Sequence, residues 1–162
     1  MRDLQRIAQE CINELDQINI PYGNVEKFVS NQRFSRTWGR CQKTSGGFLI
    51  QISEKLLQDH VPMEALKQTI LHEMIHTCPG CFNHQREWKR MAALVNDTYG
   101  YNIKTYSDAE ELGMSPVVRK VKHRFVCTGC GLVIERQKES KFTKNYKKYY
   151  CSRCKGRFQK EF

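Results

Sequence analysis

No stretch of the sequence approaches eighteen consecutive apolar residues, so no membrane-spanning helix is expected. The first residues, MRDLQRIAQECINELDQ, lack both an apolar core and a small-residue cleavage site, which argues against a secretory signal. The expected compartment is therefore the cytoplasm, where disulfides are rare and the eight cysteines point to metal ligands instead. Internal repeats and low-complexity tracts are also missing, which excludes solenoids and linker-like chains. Acidic residues are scarce at one end only. Residues 117–162 hold 14 Lys+Arg against 3 Asp+Glu, whereas residues 1–116 hold 13 against 14. The net charge of +10 thus sits in the last 46 residues and favours a polyanionic partner, nucleic acid first. A length of 162 residues suits one compact domain with a small appendage, and we expect domains at 1–116 and 117–162.

Histidine is scarce too: of five in the chain, three fall within LHEMIHTCPGCFNHQREW, residues 71–88. The flanking pattern predicts their setting. Leu4, Ile7, Ala8, Cys11, Leu15 and Ile18 recur at helical spacing over residues 3–18. Two β-like runs follow, Lys27–Ser30 and Thr37–Gln42. Thr44-Ser45-Gly46-Gly47 then forms a hairpin turn into a strand at Phe48–Ile52, which predicts an antiparallel pair. Ser53 begins a short helical stretch. Pro62 opens a longer helix to about Thr77, broken by Pro79-Gly80. Asn83 is expected to cap a further helix to Tyr99, with Trp88, Met91, Leu94 and Val95 inward and Gly100 as its stop. Residues 101–120 read as a linker with one extended piece.

His72 and His76, four apart in a helix, project from one face one turn apart and can share a zinc ion. Glu73 beside them is placed to reach a water at that ion, the His-Glu-x-x-His arrangement of zinc peptidases with glutamate as general base. His84 follows a Pro-Gly break and can supply the third ligand of an open catalytic site, with Glu87 as the competing candidate. We prefer His84, and assign Glu87 to accept a proton from a ligand imidazole. The plainer alternative is a helix with surface histidines. Cys78 and Cys81 follow a helix with no strand before them, which disfavours a thioredoxin-like pair; they read as loop thiols beside the site.

Cys127-x-x-Cys130 and Cys151-x-x-Cys154 are spaced as the two knuckles of a zinc ribbon, with Gly129 and Gly131 suiting the first turn. Between them runs KFTKNYKKYY, residues 141–150, read as a hairpin arm. Lys144, Lys147 and Lys148 would contact phosphates while Phe142, Tyr146 and Tyr149 offer rings to unpaired bases. The bland reading is that these aromatics cover the ribbon's small core.

Taken together, the chain resembles the SprT-like metallopeptidases along essentially its whole length. The resemblance rests on the N-terminal helix, the strand pair carrying Arg36-Thr-Trp38-Gly39-Arg-Cys41, the HEMIH helix, a third histidine followed by Glu87-Trp88, and the C-terminal cysteine module. It implies an α+β fold, a zincin-like metallopeptidase domain with helices on a small antiparallel sheet, followed by a small β zinc ribbon. It also implies one catalytic zinc on His72, His76 and His84 with Glu73 as base, and one structural zinc on Cys127, Cys130, Cys151 and Cys154. The expected partners are a DNA-associated protein substrate and single-stranded nucleic acid; a monomer is expected. The third-ligand segment reads His84-Gln-Arg-Glu87-Trp88 where Spartan-type members often have His-Gly-Pro-Glu-Phe. A small bacterial member is the expectation. Trp38, Gly39 and Cys41 are expected to be structural, with Cys41 a buried thiol that labels more slowly than Cys78 or Cys81.

Overall fold

A computed structural model describes residues 1–113 and 120–162. The chain divides into two compact units, Met1–Pro116 and Val117–Phe162. The expected extended piece within 101–120 falls partly outside the described residues.

In the first unit, α1 (Leu4–Gln17) starts where the Asp3 carboxylate accepts the Gln5 and Arg6 amides, and it buries Leu4, Ile7, Ala8, Cys11 and Leu15 along one face. Three strands follow: β1 (Val25–Asn31), β2 (Gly39–Lys43) and β3 (Phe48–Ser53). The expected antiparallel hairpin joins β2 to β3, with Cys41 opposite Ile50. β1 lies on the other side of β3 and runs parallel to it. The sheet is therefore mixed, where an antiparallel one was expected. The hydrophobic pattern shows which strand is central: Ile50 and Ile52 of β3 are fully buried, while β1 buries only Phe28.

α2 (Met63–Ile75) packs on β2 and β3 and against α1. It buries Ala65, Leu66, Ile70, Leu71, Met74 and Ile75, a spread too wide for one stripe and typical of a central helix. Lys67 ties α2 to α1 through ion pairs with Glu10 and Glu14 at 3.1 and 2.8 Å. α3 (Arg86–Tyr99) begins later than expected. Gln85 is its N-cap and Asn83 makes no cap, because residues 83–85 remain in the loop that returns His84 to α2. Ala92 completes the inward stripe with Trp88, Met91 and Val95, whereas Leu94 points outward. Gly100 ends the helix in the left-handed conformation, φ 71°.

The second unit is a three-stranded sheet in the order β5-β4-β6, from β4 (His123–Cys127), β5 (Val133–Arg136) and β6 (Phe158–Lys160). Residues 141–150 form no strand. Ser140 and Thr143 make a reciprocal capping box that starts the short helix α4 (Lys141–Asn145), and a 3-10 turn over Tyr146–Lys148 continues it. The local chemistry of Ser140-x-x-Thr143 outweighs the alternation that suggested a strand. Among the described residues, no helix is long and apolar enough to cross a membrane.

Candidate metal centres

α2 carries His72 in its last turn and ends at His76, still in helical geometry. Gly80, φ 75°, turns the chain back after Pro79, and the loop delivers His84 to the same point. His84 Nε2 lies 2.9 Å from His72 Nε2 and 3.1 Å from His76 Nε2. His72 Nδ1 donates to the Lys104 carbonyl and His76 Nδ1 to the Cys81 carbonyl, both at 2.9 Å. A ring protonated at Nδ1 presents a lone pair at Nε2, so these bonds aim lone pairs at one point. Such a cluster repels itself unless a cation is shared. The three rings could hold a metal ion between them, as nitrogen ligands at about 2.0–2.1 Å do with zinc.

The local electrostatics agree. Burial, reinforced by the neighbouring His76 and His84, brings His72 down to about 3. Burial also lowers His76 and His84. All three are neutral near pH 7, the form that binds metal.

Glu73, next to His72 in sequence, is buried and lines the same cleft. That burial pushes its carboxyl up to about 8, against the opposing pull of the Cys41 amide and the Arg40 charge. Gly39 makes the position possible: a Cβ there would lie 2.5 Å from Glu73 Oε1. A cleft of about 250 Å³ opens beside Glu73 and His72, walled by Trp38 and Gly39 on one side and residues 102–107 on the other.

Several expected roles fall elsewhere. Glu87 joins neither the cluster nor an imidazole, and pairs with Arg90 Nε at 3.0 Å on the surface. The carbonyls of Lys104 and Cys81 orient the rings instead; backbone groups carry no residue-type signal, so the sequence could not point to them. Trp88 was expected only as core, yet its ring packs against all three imidazoles with centroids at 4.6–5.6 Å. Cys78 and Cys81 are buried free thiols, while Cys41 is half-exposed, which reverses the expected order of accessibility.

In the second unit, Cys127, Cys130, Cys151 and Cys154 form one cluster. Cys127 Sγ lies 3.4 Å from Cys154 Sγ, and Cys130 Sγ lies 3.5 Å from Cys151 Sγ. Disulfide sulfurs would be about 2.05 Å apart, whereas four sulfurs about 2.3 Å from one zinc are separated by about 3.8 Å. The cluster fits the metal. The Gly129 and Gly156 amides donate to Cys127 and Cys154 sulfurs at 3.4 Å, as needed to support thiolates. The Cys154 amide brings Cys151 down to about 6.

The basic segment corrects one more expectation. Phe142, Tyr146 and Tyr149 fall at helical spacing, and Tyr146 packs half-buried against Phe125 with ring centroids 5.0 Å apart. Tyr146 is thus a core ring and not a free platform. Tyr149 leans on Phe142 but keeps an exposed edge, and Tyr150 is 57% exposed under the Arg157 guanidinium, 4.0 Å from its ring centre. Lys144, Lys147 and Lys148 are exposed; Lys144 pairs with Glu139 at 3.2 Å.

The model of the SprT-like family matches residues 5–107, which include all of α1 but its first residue, the mixed sheet and all three histidines. No curated protein sequence matches the chain.

Proposed function

Because the chain belongs to the SprT-like family, we propose that it is a zinc-dependent endopeptidase acting on proteins associated with DNA, its basic C-terminal unit binding nucleic acid. The observation that carries this reading is the convergence of three neutral imidazoles beside a buried carboxylate at the mouth of a cleft. A zinc ion held by His72, His76 and His84 would supply Lewis acidity to a water molecule and to the substrate carbonyl.

The remaining steps belong to the chain's own groups. Glu73 takes a proton from the attacking water and later delivers it to the leaving amine. Burial alone would keep this carboxyl protonated, and the positive charge of a bound zinc ion would favour the ionised form that accepts the proton. The Cys41 amide fixes the carboxylate's orientation, and the missing side chain at Gly39 leaves it room. The Lys104 and Cys81 carbonyls hold His72 and His76 in the tautomer that leaves Nε2 free.

The four thiolates of the second unit would hold a structural zinc in a ribbon-like module. Exposed lysines with Tyr149 and Tyr150 offer charge and rings to single-stranded nucleic acid. We place the protein in the cytoplasm as a monomer.

The deciding experiment replaces Glu73 by Gln. Zinc content and fold should be retained while cleavage of a denatured protein substrate is lost. If the histidine site were only structural, wild type and Glu73→Gln would behave alike in every cleavage assay.

A further inference from the structure

The cleft beside the histidines has a defined size and chemistry. Its volume of about 250 Å³ lies below the roughly 300–1,000 Å³ of pockets that hold whole small molecules, and leaves room for one large side chain. Trp38 forms one wall, its Nε1 donating to the Ser107 carbonyl at 3.2 Å and its ring packed against the main core. Leu112 lies buried at the base, and Thr69 of α2 lines the side. Tyr106 stands at the rim with 76% of its surface in solvent. The nearby positive charge of Lys104 is met by Glu111 at 2.7 Å, so the rim does not select for acid through that lysine.

The bonding of β2 shows how a peptide would approach. Ser53 N–H donates to the Trp38 carbonyl, and Thr44 N–H to the Gly47 carbonyl. Antiparallel pairs alternate, so Arg40 and Gln42 bond to β3 while Gly39, Cys41 and Lys43 turn away from it to the outer edge, where the Cys41 amide is taken by Glu73. β2 is the outer strand on that side. The Cys41 amide meets Glu73 midway along this edge. The Gly39 end opens on the cleft, and the Lys43 end reaches Phe82, with Nζ 4.6 Å from the ring centre.

We infer that the cleft between Trp38 and Tyr106 is the selectivity pocket, that it takes one aromatic or large aliphatic side chain adjacent to the scissile bond, and that Tyr106 is its specificity-determining residue. The inference rests on the peptidase reading and names the chemistry of its substrate. An extended chain laid along the β2 edge passes Glu73 at its middle and places one side chain over the Gly39 end. There Trp38 and Leu112 offer apolar surface, and the exposed Tyr106 ring gains burial when the pocket is filled.

The test compares zinc-loaded wild type, Tyr106→Ala and Thr69→Phe on one library of peptides varied at the positions flanking the cut. Wild type should select Phe, Tyr or Leu at one flanking position. Tyr106→Ala should lose about tenfold in kcat/KM on the Phe peptide, mostly through KM, with little change on the Ala peptide. Thr69→Phe, which fills the pocket, should shift selection toward Gly and Ala. Identical profiles for wild type and Tyr106→Ala would overturn the inference. Calorimetric binding of Phe and Ala peptides to Glu73→Gln keeps the two ideas apart. Selective binding without cleavage by wild type supports the pocket and ends the peptidase reading, whereas cleavage without selectivity ends the pocket alone.

Discussion

Gly39 of β2 lies so close to Glu73 of α2 that an added Cβ would stand 2.5 Å from Oε1 and 2.6 Å from Cγ. The strand backbone is the wall against which the carboxylate rests. Gly39→Ala should therefore move Glu73 while leaving all three histidines in place. Since a misplacement of about 1 Å can cost on the order of 10²-fold in rate, we expect a loss of that size in kcat with zinc content unchanged. Joint loss of zinc and activity would show that Gly39 supports the fold and not the carboxylate alone.

Metal content separates the two centres. Wild type should hold about two zinc ions per chain, and His84→Ala nearer one, by elemental analysis. Glu87→Gln should keep about two, because Glu87 pairs with Arg90 at the surface. Loss of a metal ion in Glu87→Gln would return that residue to the ligand set.

The buried carboxyl has a signature in stability. With the histidine site emptied by mild chelation, Glu73 holds its proton up to about pH 8, whereas in the unfolded chain it releases it near 4.5. Between these values the native state binds the extra proton, so stability falls as pH rises. The lowered histidines act in the opposite sense, but only below about 6.5. From pH 6.5 to 8 the metal-free wild type should lose about 1–2 kcal/mol relative to Glu73→Gln in denaturant titrations. Parallel profiles for the two proteins would rule out a protonated Glu73.

Thiol labelling of the native protein should proceed at Cys41 before Cys78 or Cys81. Cys41 is half-exposed, whereas the two loop thiols are buried. Burial raises Cys41 and Cys78 alike to about 12, so access and not thiolate fraction sets the order. Mass spectrometry of a timed alkylation reads the sequence of events directly, and early modification of Cys78 would reveal an opening of the 78–85 loop.

For the basic unit, replacing Lys144, Lys147 and Lys148 with alanine should reduce the salt dependence of single-strand binding by about two to three, on the order of 0.7 per phosphate contact. Tyr150→Ala should weaken binding by roughly 1–3 kcal/mol with the salt slope kept. Tyr146→Ala should instead loosen the small core around Phe125 and release zinc. Salt-independent binding in wild type would dismiss the electrostatic interface.

Much of this architecture is legible in the amino-acid sequence. The histidines at 72 and 76, the glutamate between them, the four paired cysteines and the β2–β3 hairpin each follow from short-range spacing, which sequence states directly. Three features did not, each for a physical reason. The parallel pairing of β1 with β3 depends on contacts more than twenty residues apart, to which local alternation is blind. The helical turn at 141–148 reads as a strand because lysines and aromatics alternate there, although the Ser140–Thr143 cap decides the backbone. The role of Trp88 under the imidazoles looks, in a hydrophobic pattern, like any other core position.

His72 and His76 are steered by the carbonyls of Lys104 and Cys81, atoms that every amino acid possesses. Genetic drift at positions 104 and 81 can therefore change the side chain without changing the instruction given to the ring. Packing still limits the choice, since Cys81 is buried in the core and Lys104 pairs with Glu111, but any side chain that fits those places keeps the tautomers. The burden of inheritance falls instead on the path of the main chain, on the turn after Pro79 and the crossing of residues 102–107, where an insertion or deletion of one residue would do what few substitutions could.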